Sequence, residues 1–131
     1  MSNLFRMKQD DDKKKPTRFY SNKQENHVAK AIKGRKVANS GATAFDKGDV
    51  TDDKWLIECK TCTKEQKSFT IQSEWIAKNR EESIFMKKDH TAIAFNFGPD
   101  TKMQYIVDEP TFLLMKILLD AYDRGEIEIE E

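Results

Sequence analysis

Apolar residues recur along this chain in short blocks whose period changes, and the changes divide it into elements. The first twenty-one residues hold no sustained apolar period, are rich in Lys, Asp and Ser and include Pro16, which is the composition of a flexible arm. From Asn22 to about Lys33, the residues Val28, Ala29, Ala31 and Ile32 fall at spacings near three and four, with Gly34 placed to end a helix. Lys36 to Ser40, centred on Val37 and followed by Gly41, and Phe45 to Gly48 suit two short connected strands or a strand and a loop.

Lys54 to Thr61, reading KWLIECKT, is a β-compatible apolar run between charged clusters and predicts a mostly buried strand. At period two, Leu56, Glu58 and Lys60 share one face and Trp55, Ile57 and Cys59 the other. Phe69 to Gln72 reads as a further short strand. Ser73 then reads as the N-cap of a helix to about Lys88, with Trp75, Ile76, Ile84 and Phe85 as its buried stripe. Thr91 to Phe97 alternates as a strand up to the Gly98-Pro99 turn, and Met103 to Val107 supplies another. Asp108 is placed to cap a last helix from about Pro110 to Tyr122, closed by Gly125. Helices and strands in this order predict an α/β domain, a small central sheet flanked by helices.

The chain has 131 residues, 37% hydrophobic and 35% charged, so one domain with a small core and a heavily charged surface is expected. Net charge is zero, but its distribution is not even. Residues 1–36 carry eleven Lys/Arg against four Asp/Glu, residues 37–99 nine against ten, and residues 100–131 three against nine. That reads as a basic N-terminal arm over residues 1–21, a folded domain over 22–124 and an acidic tail over 125–131. No apolar stretch reaches the length of a membrane span, and charges stand where a signal peptide would need an apolar segment, so no membrane contact and a cytoplasmic location are expected.

Candidate chemistry concentrates at Gly48-Asp49-Val50 and Glu58-Cys59-Lys60. A carboxylate at the start of one strand and a Glu two residues before a Lys on its neighbour can converge. Two carboxylates supply the hard oxygen ligands that Mg²⁺ prefers, and a lysine on the face of Glu58 can orient an attacking water and stabilise charge developing at phosphorus. The plainer reading is an exposed Glu–Lys pair. Against it stands the WLI run leading into the two charges, because burying unpaired charge is costly.

On these residues the sequence resembles the PD-(D/E)-x-K nuclease superfamily, and within it the archaeal-type and phage Holliday junction resolvases, from about Lys23 to Phe97. The resemblance implies a restriction-endonuclease-like mixed sheet. It aligns Glu25, in KQENHVAKAI, with the family's N-terminal catalytic glutamate, and Ser40, in VANSGA, with a loop serine. Asp49 in KGDV and Glu58 in LIECK take the places of the two metal-binding carboxylates, and Lys60 that of the catalytic lysine. Lys47-Gly48 stands where many relatives have a proline before the Asp. Gln72, closing FTIQ, matches a glutamine that in several branches positions water or the DNA backbone, although an ordinary strand-end residue would read the same.

The function implied is a Mg²⁺-dependent DNA endonuclease, with Mn²⁺ able to substitute, that resolves branched DNA as a homodimer. Alternatives are a restriction- or homing-type enzyme on linear duplex, an inactive DNA-binding protein of the same fold, and a regulatory protein without DNA contact. Arg35 and Lys36, beside the site, are the best candidates for phosphate contacts, with the basic arm as a further source. Cys59 and Cys62 have the spacing of half a zinc site, but no second cysteine pair exists, and Cys59 fits better as a small hydrophobe behind the metal strand. The last helix, with Phe112, Leu113, Leu114, Ile117 and Leu118, has more apolar surface than one face of a small sheet needs, and offers a dimer contact.

Overall fold

The computed structural model describes residues 16–37 and 49–130. They form a mixed α/β fold: helix α1 (Thr17–Ile32), strands β1 (Arg35–Lys36), β2 (Asp49–Thr51) and β3 (Trp55–Lys60), helix α2 (Ser73–Phe85), strands β4 (His90–Phe95) and β5 (Gln104–Ile106), and helix α3 (Glu109–Asp123). The five strands make one sheet in sequence order, antiparallel throughout except for the parallel pair β3–β4. A parallel pair needs a crossover, and α2 supplies it.

Alternation along the strands sorts the two faces. Val50, Ile57, Cys59, Ala92 and Ala94 form the core with Val28 of α1 on one face. Leu56, Glu58, Lys60 and Ile93 point to the other, where α2 lies. The face division expected for β3 therefore holds, and it places Glu58 and Lys60 under α2, and Cys59 in the core beneath α1.

Helix α1 starts five residues before the apolar period does, so residues 17–21 belong to the helix and not to the arm. Pro16 stands at its N-cap, and Phe19 N–H donates to the Pro16 carbonyl at 2.9 Å. These first turns are exposed or half-exposed, and a helix shows an apolar stripe only where it meets a core. Lys33, in the left-handed region at φ 57°, closes the helix, and Gly34 N–H donates back to the Ala29 carbonyl at 2.8 Å. Gly34 serves a close approach: a Cβ there would lie 2.4 Å from the Thr51 carbonyl oxygen.

Two expectations fail downstream. Phe69 to Gln72 is no strand. Phe69 instead packs its ring on Phe95 at 4.9 Å and near Trp75 at 6.3 Å between centroids, which fixes the segment through its side chain without a backbone ladder. Helix α2 ends at Phe85, short of Lys88, with Gln72 rather than Ser73 at the N-cap position. Its buried residues are Asn79 and Ser83, while Ile84 and Phe85 are 71% and 89% exposed. Asn79 wins the inward position because its amide donates to the Leu56 and Ala92 carbonyls of β3 and β4, at 3.4 and 3.2 Å. Helix α3 begins as expected, with the Asp108 carboxylate accepting from Thr111 N–H at 3.0 Å. Phe45 to Gly48 and Ser40 lie outside the described residues.

Candidate functional site

The register of β2 on β3 sets Asp49 directly opposite Glu58. Residues opposed across an antiparallel pair point to the same face with Cβ atoms about 4.5–5.5 Å apart, so the two carboxylates are neighbours. Lys60, two residues on, shares that face, and its Nζ lies 3.5 Å from Glu58 Oε1. Asp49 is buried and Glu58 half-buried.

The other oxygen of Glu58, Oε2, is buried and accepts no hydrogen bond from the protein. Burial pushes the Glu58 carboxyl above its ordinary range; the Lys60 and Lys78 ammonium groups pull it down, and Glu82 pushes it further up. Glu25 repeats the pattern from α1. It is buried, its Oε2 has no partner, and desolvation raises it against the opposing charges of Lys36 and Arg18. The charges of Glu25, Asp49 and Glu58 all act on the Cys59 thiol, which burial first and these carboxylates next drive well above the usual thiol range. All three carboxylates are thus within electrostatic reach of β3, Asp49 and Glu58 on the face under α2 and Glu25 from α1.

Lys60 is held from above as well as from the side. Its Nζ sits 4.3 Å from the ring centroid of Trp75 on α2, in cation–π contact. Its backbone is fixed by Gln24 of α1, whose amide donates to the Lys60 carbonyl at 2.8 Å. Trp75, Gln24, Lys78 and Glu82 all border the site, and sequence reasoning assigns none of them to it. Positions 75, 78 and 82 follow helical spacing, which is the signal that finds them once α2 is known to cross the lysine strand.

Of the other candidates, Lys36 is exposed on β1 with its charge acting on Glu25, and so flanks the site. Arg35 is exposed at the edge of the sheet, where its charge acts on Asp52. Gln72 is exposed at the start of α2, three residues before Trp75, and its side chain makes no cap bond. Cys59 and Cys62 are free and buried, Cys59 in the core and Cys62 donating its thiol to the Asn96 carbonyl at 3.5 Å.

Among the described residues no three His, Cys, Asp or Glu side chains form a ready-made metal cage. Mg²⁺ does not require one, since one or two carboxylates with substrate oxygens and waters commonly hold it. Asp49 opposite Glu58, with a buried Glu58 oxygen lacking a partner, fits such an ion. Compared with known proteins, the chain matches no family model, no curated protein and no solved structure.

Proposed function

We propose that this chain is a divalent-cation-dependent DNA endonuclease of the PD-(D/E)-x-K type, with a restriction-endonuclease-like sheet, acting on branched DNA in the manner of a Holliday junction resolvase. The observation that carries the reading is the pairing of Asp49 with Glu58 across two strands, with Lys60 on the same face and one Glu58 oxygen buried without a partner. A purely structural Glu–Lys pair gains nothing from burying an acceptor that nothing fills, and such an orphan is costly.

Asp49 and Glu58 would hold Mg²⁺ or Mn²⁺. When bound, the ion supplies positive charge to the phosphate oxygens and acidity to the attacking water. The chain's own residues do the rest. Lys60, fixed between Glu58 and Trp75, places an ammonium beside the water and the phosphate, where negative charge grows as the phosphodiester is hydrolysed. Glu25, on α1, adds negative charge within reach of the same stretch of β3. Lys36 and Arg35 on the edge strand, with the basic N-terminal segment, give phosphate contacts that position the backbone without reading sequence. Ser40 and Gln72 are further backbone contacts in this reading. A resolvase cuts two strands symmetrically, and the described residues of each chain hold one such site, so the working unit is a homodimer. A substrate of this kind implies a cytoplasmic location; among the described residues, no helix is long and apolar enough to cross a membrane.

Purified protein incubated with a four-way junction, a nicked duplex and a linear duplex, in Mg²⁺ or in EDTA, tests this reading. Paired nicks in the junction that require Mg²⁺ are expected. Preferred cutting of linear duplex would replace resolvase with a restriction-type activity, and DNA binding without cleavage would leave only a binding protein.

A further inference from the structure

Helix α3 is the least expected part of the molecule. It has no buried residue, and no strand or helix among the described residues packs extensively against it. Yet Phe112, Leu113, Leu114, Met115, Ile117, Leu118, Leu119 and Tyr122 are apolar or aromatic, and they are 41% to 62% exposed. At 100° per residue its charges, Glu109, Lys116, Asp120 and Asp123, gather in one narrow stripe, where Lys116 pairs with Asp120 at 2.6 Å. The rest of the circumference is apolar, as in a helix buried on most sides.

We propose that α3 is the contact through which two copies of this chain form a two-fold dimer, the end of each helix seated in a groove at the root of the other. The extent of the surface supports a stable dimer. With about 200 Å² for each large side chain, these exposures give about 800 Å² of apolar surface, one partner's share of a standard interface. Its chemistry suits a copy of itself. A two-fold contact sets each patch against itself, and between Thr111 and Leu119 the only charge is Lys116, already paired within its own helix. A lipid surface is the poorer occupant, because the polar stripe is mostly acidic and membrane-surface helices carry Lys and Arg there. Residues 1–15 and 38–48 offer few large apolar side chains, chiefly Leu4, Phe5, Met7 and Phe45, too little to cover eight.

The groove sets the direction. A cleft of about 150 Å³, lined by Ile76 of α2, Ile93 and Ile106 of the sheet and Val107 just after β5, opens beside Asp108, where α3 begins. The fifteen residues of α3 span about 22 Å. Antiparallel pairing about the helix midpoint therefore brings Tyr122 of one copy opposite Pro110 at the root of the other helix, beside its cleft, while Leu118 and Leu119 meet Leu114 and Leu113. Each cleft receives the Tyr122 end of the opposite helix, which adds a second apolar contact to the side-by-side packing of the two helices.

The consequence for paired cutting rests on the nuclease reading, whereas the dimer is measured without DNA or metal, so either can fail alone. Sedimentation of the full chain at tens of micromolar should give a dimer. Leu114→Glu and Leu118→Glu should each raise its dissociation constant about 100-fold or more, with unchanged circular dichroism. In a separate experiment, chains carrying Ile76→Cys mixed with chains carrying Tyr122→Cys should form an intermolecular disulfide under mild oxidation. Wild type, whose two cysteines are buried, should not. A monomeric wild type, a Leu114→Glu variant that stays folded and dimeric, or a mixture that fails to cross-link would overturn the proposal. Should a glutamate variant unfold, wild-type sedimentation and the cross-link decide the question, since neither depends on it.

Discussion

One oxygen of Glu58 faces the Lys60 ammonium at 3.5 Å and the other is buried with no protein donor. Desolvation, the largest influence on this carboxyl, raises its pKa. A native pKa above the unfolded value means that folding favours the protonated form. The resulting stability is complete below the unfolded value of about 4.3 and is lost as pH rises through the native one. Without metal, Glu58→Gln should therefore gain in Tm over wild type as pH is raised from about 4.3 toward neutrality, read by thermal melts across pH. Mg²⁺ at neutral pH should raise the Tm of wild type and not of the variant, because the ion binds the ionised form; a variant less stable than wild type at every pH would count against a poised metal ligand. Trp75 acts one step further out. Trp75→Leu should leave DNA binding intact, slow cleavage about tenfold through loss of the cation–π contact, and abolish the upfield ring-current shift of the Lys60 ε-protons in NMR spectra. Lysine signals identical in the two proteins would remove Trp75 from the site. Glu58 and Lys60 are legible in the E-x-K pattern at a strand end. Trp75 is not, since in the sequence it belongs to an apolar stripe with the pattern of core, and only the crossing of α2 over β3 shows what it covers.

Among the elements, strands and caps are more legible than helix faces. KWLIECKT and the alternating run to Phe97 carry the local period of a two-sided sheet, and Asp108 with Pro110 carries the chemistry of a helix start, so β3, β4 and the root of α3 stand where expected. The inward face of α2 escapes a periodicity argument because its key position is filled by Asn79, whose amide satisfies two strand carbonyls; a polar residue that serves by hydrogen bonding leaves no apolar period to detect. The join of α1 to the sheet turns on Gly34. Gly34→Ala would set a Cβ 2.4 Å from the Thr51 carbonyl, and because both atoms belong to or adjoin backbone, the strain cannot be relieved by a rotamer change. A loss of about 1–3 kcal/mol in urea unfolding is expected, and unchanged stability would mean that the α1–β1 turn yields freely.

For the molecule as a whole, the layout of the chain explains why its two ends look so different. The sheet and α1 make a core of modest size around Val28, Val50 and Ile57, while α3 holds apolar surface outside that core. Composition alone hints at this, since the last helix is the most apolar part of a highly charged chain. The size of the uncovered surface and the cleft at its root are visible only in three dimensions, because no sequence pattern tells whether a helix turns back onto its own sheet. In the proposed dimer the two Asp49–Glu58–Lys60 sites are related by a two-fold axis, as symmetric cutting requires. The central claim remains the chemistry at each site. Its most direct test is Mg²⁺-dependent cleavage of a labelled four-way junction by wild type and by Glu58→Gln, in parallel with junction binding measured without divalent metal. Wild type should nick strands in pairs, and the variant should bind the junction as well but leave it uncut. Cleavage by Glu58→Gln at the wild-type rate, or none by a folded wild-type protein that binds the junction, would contradict that claim.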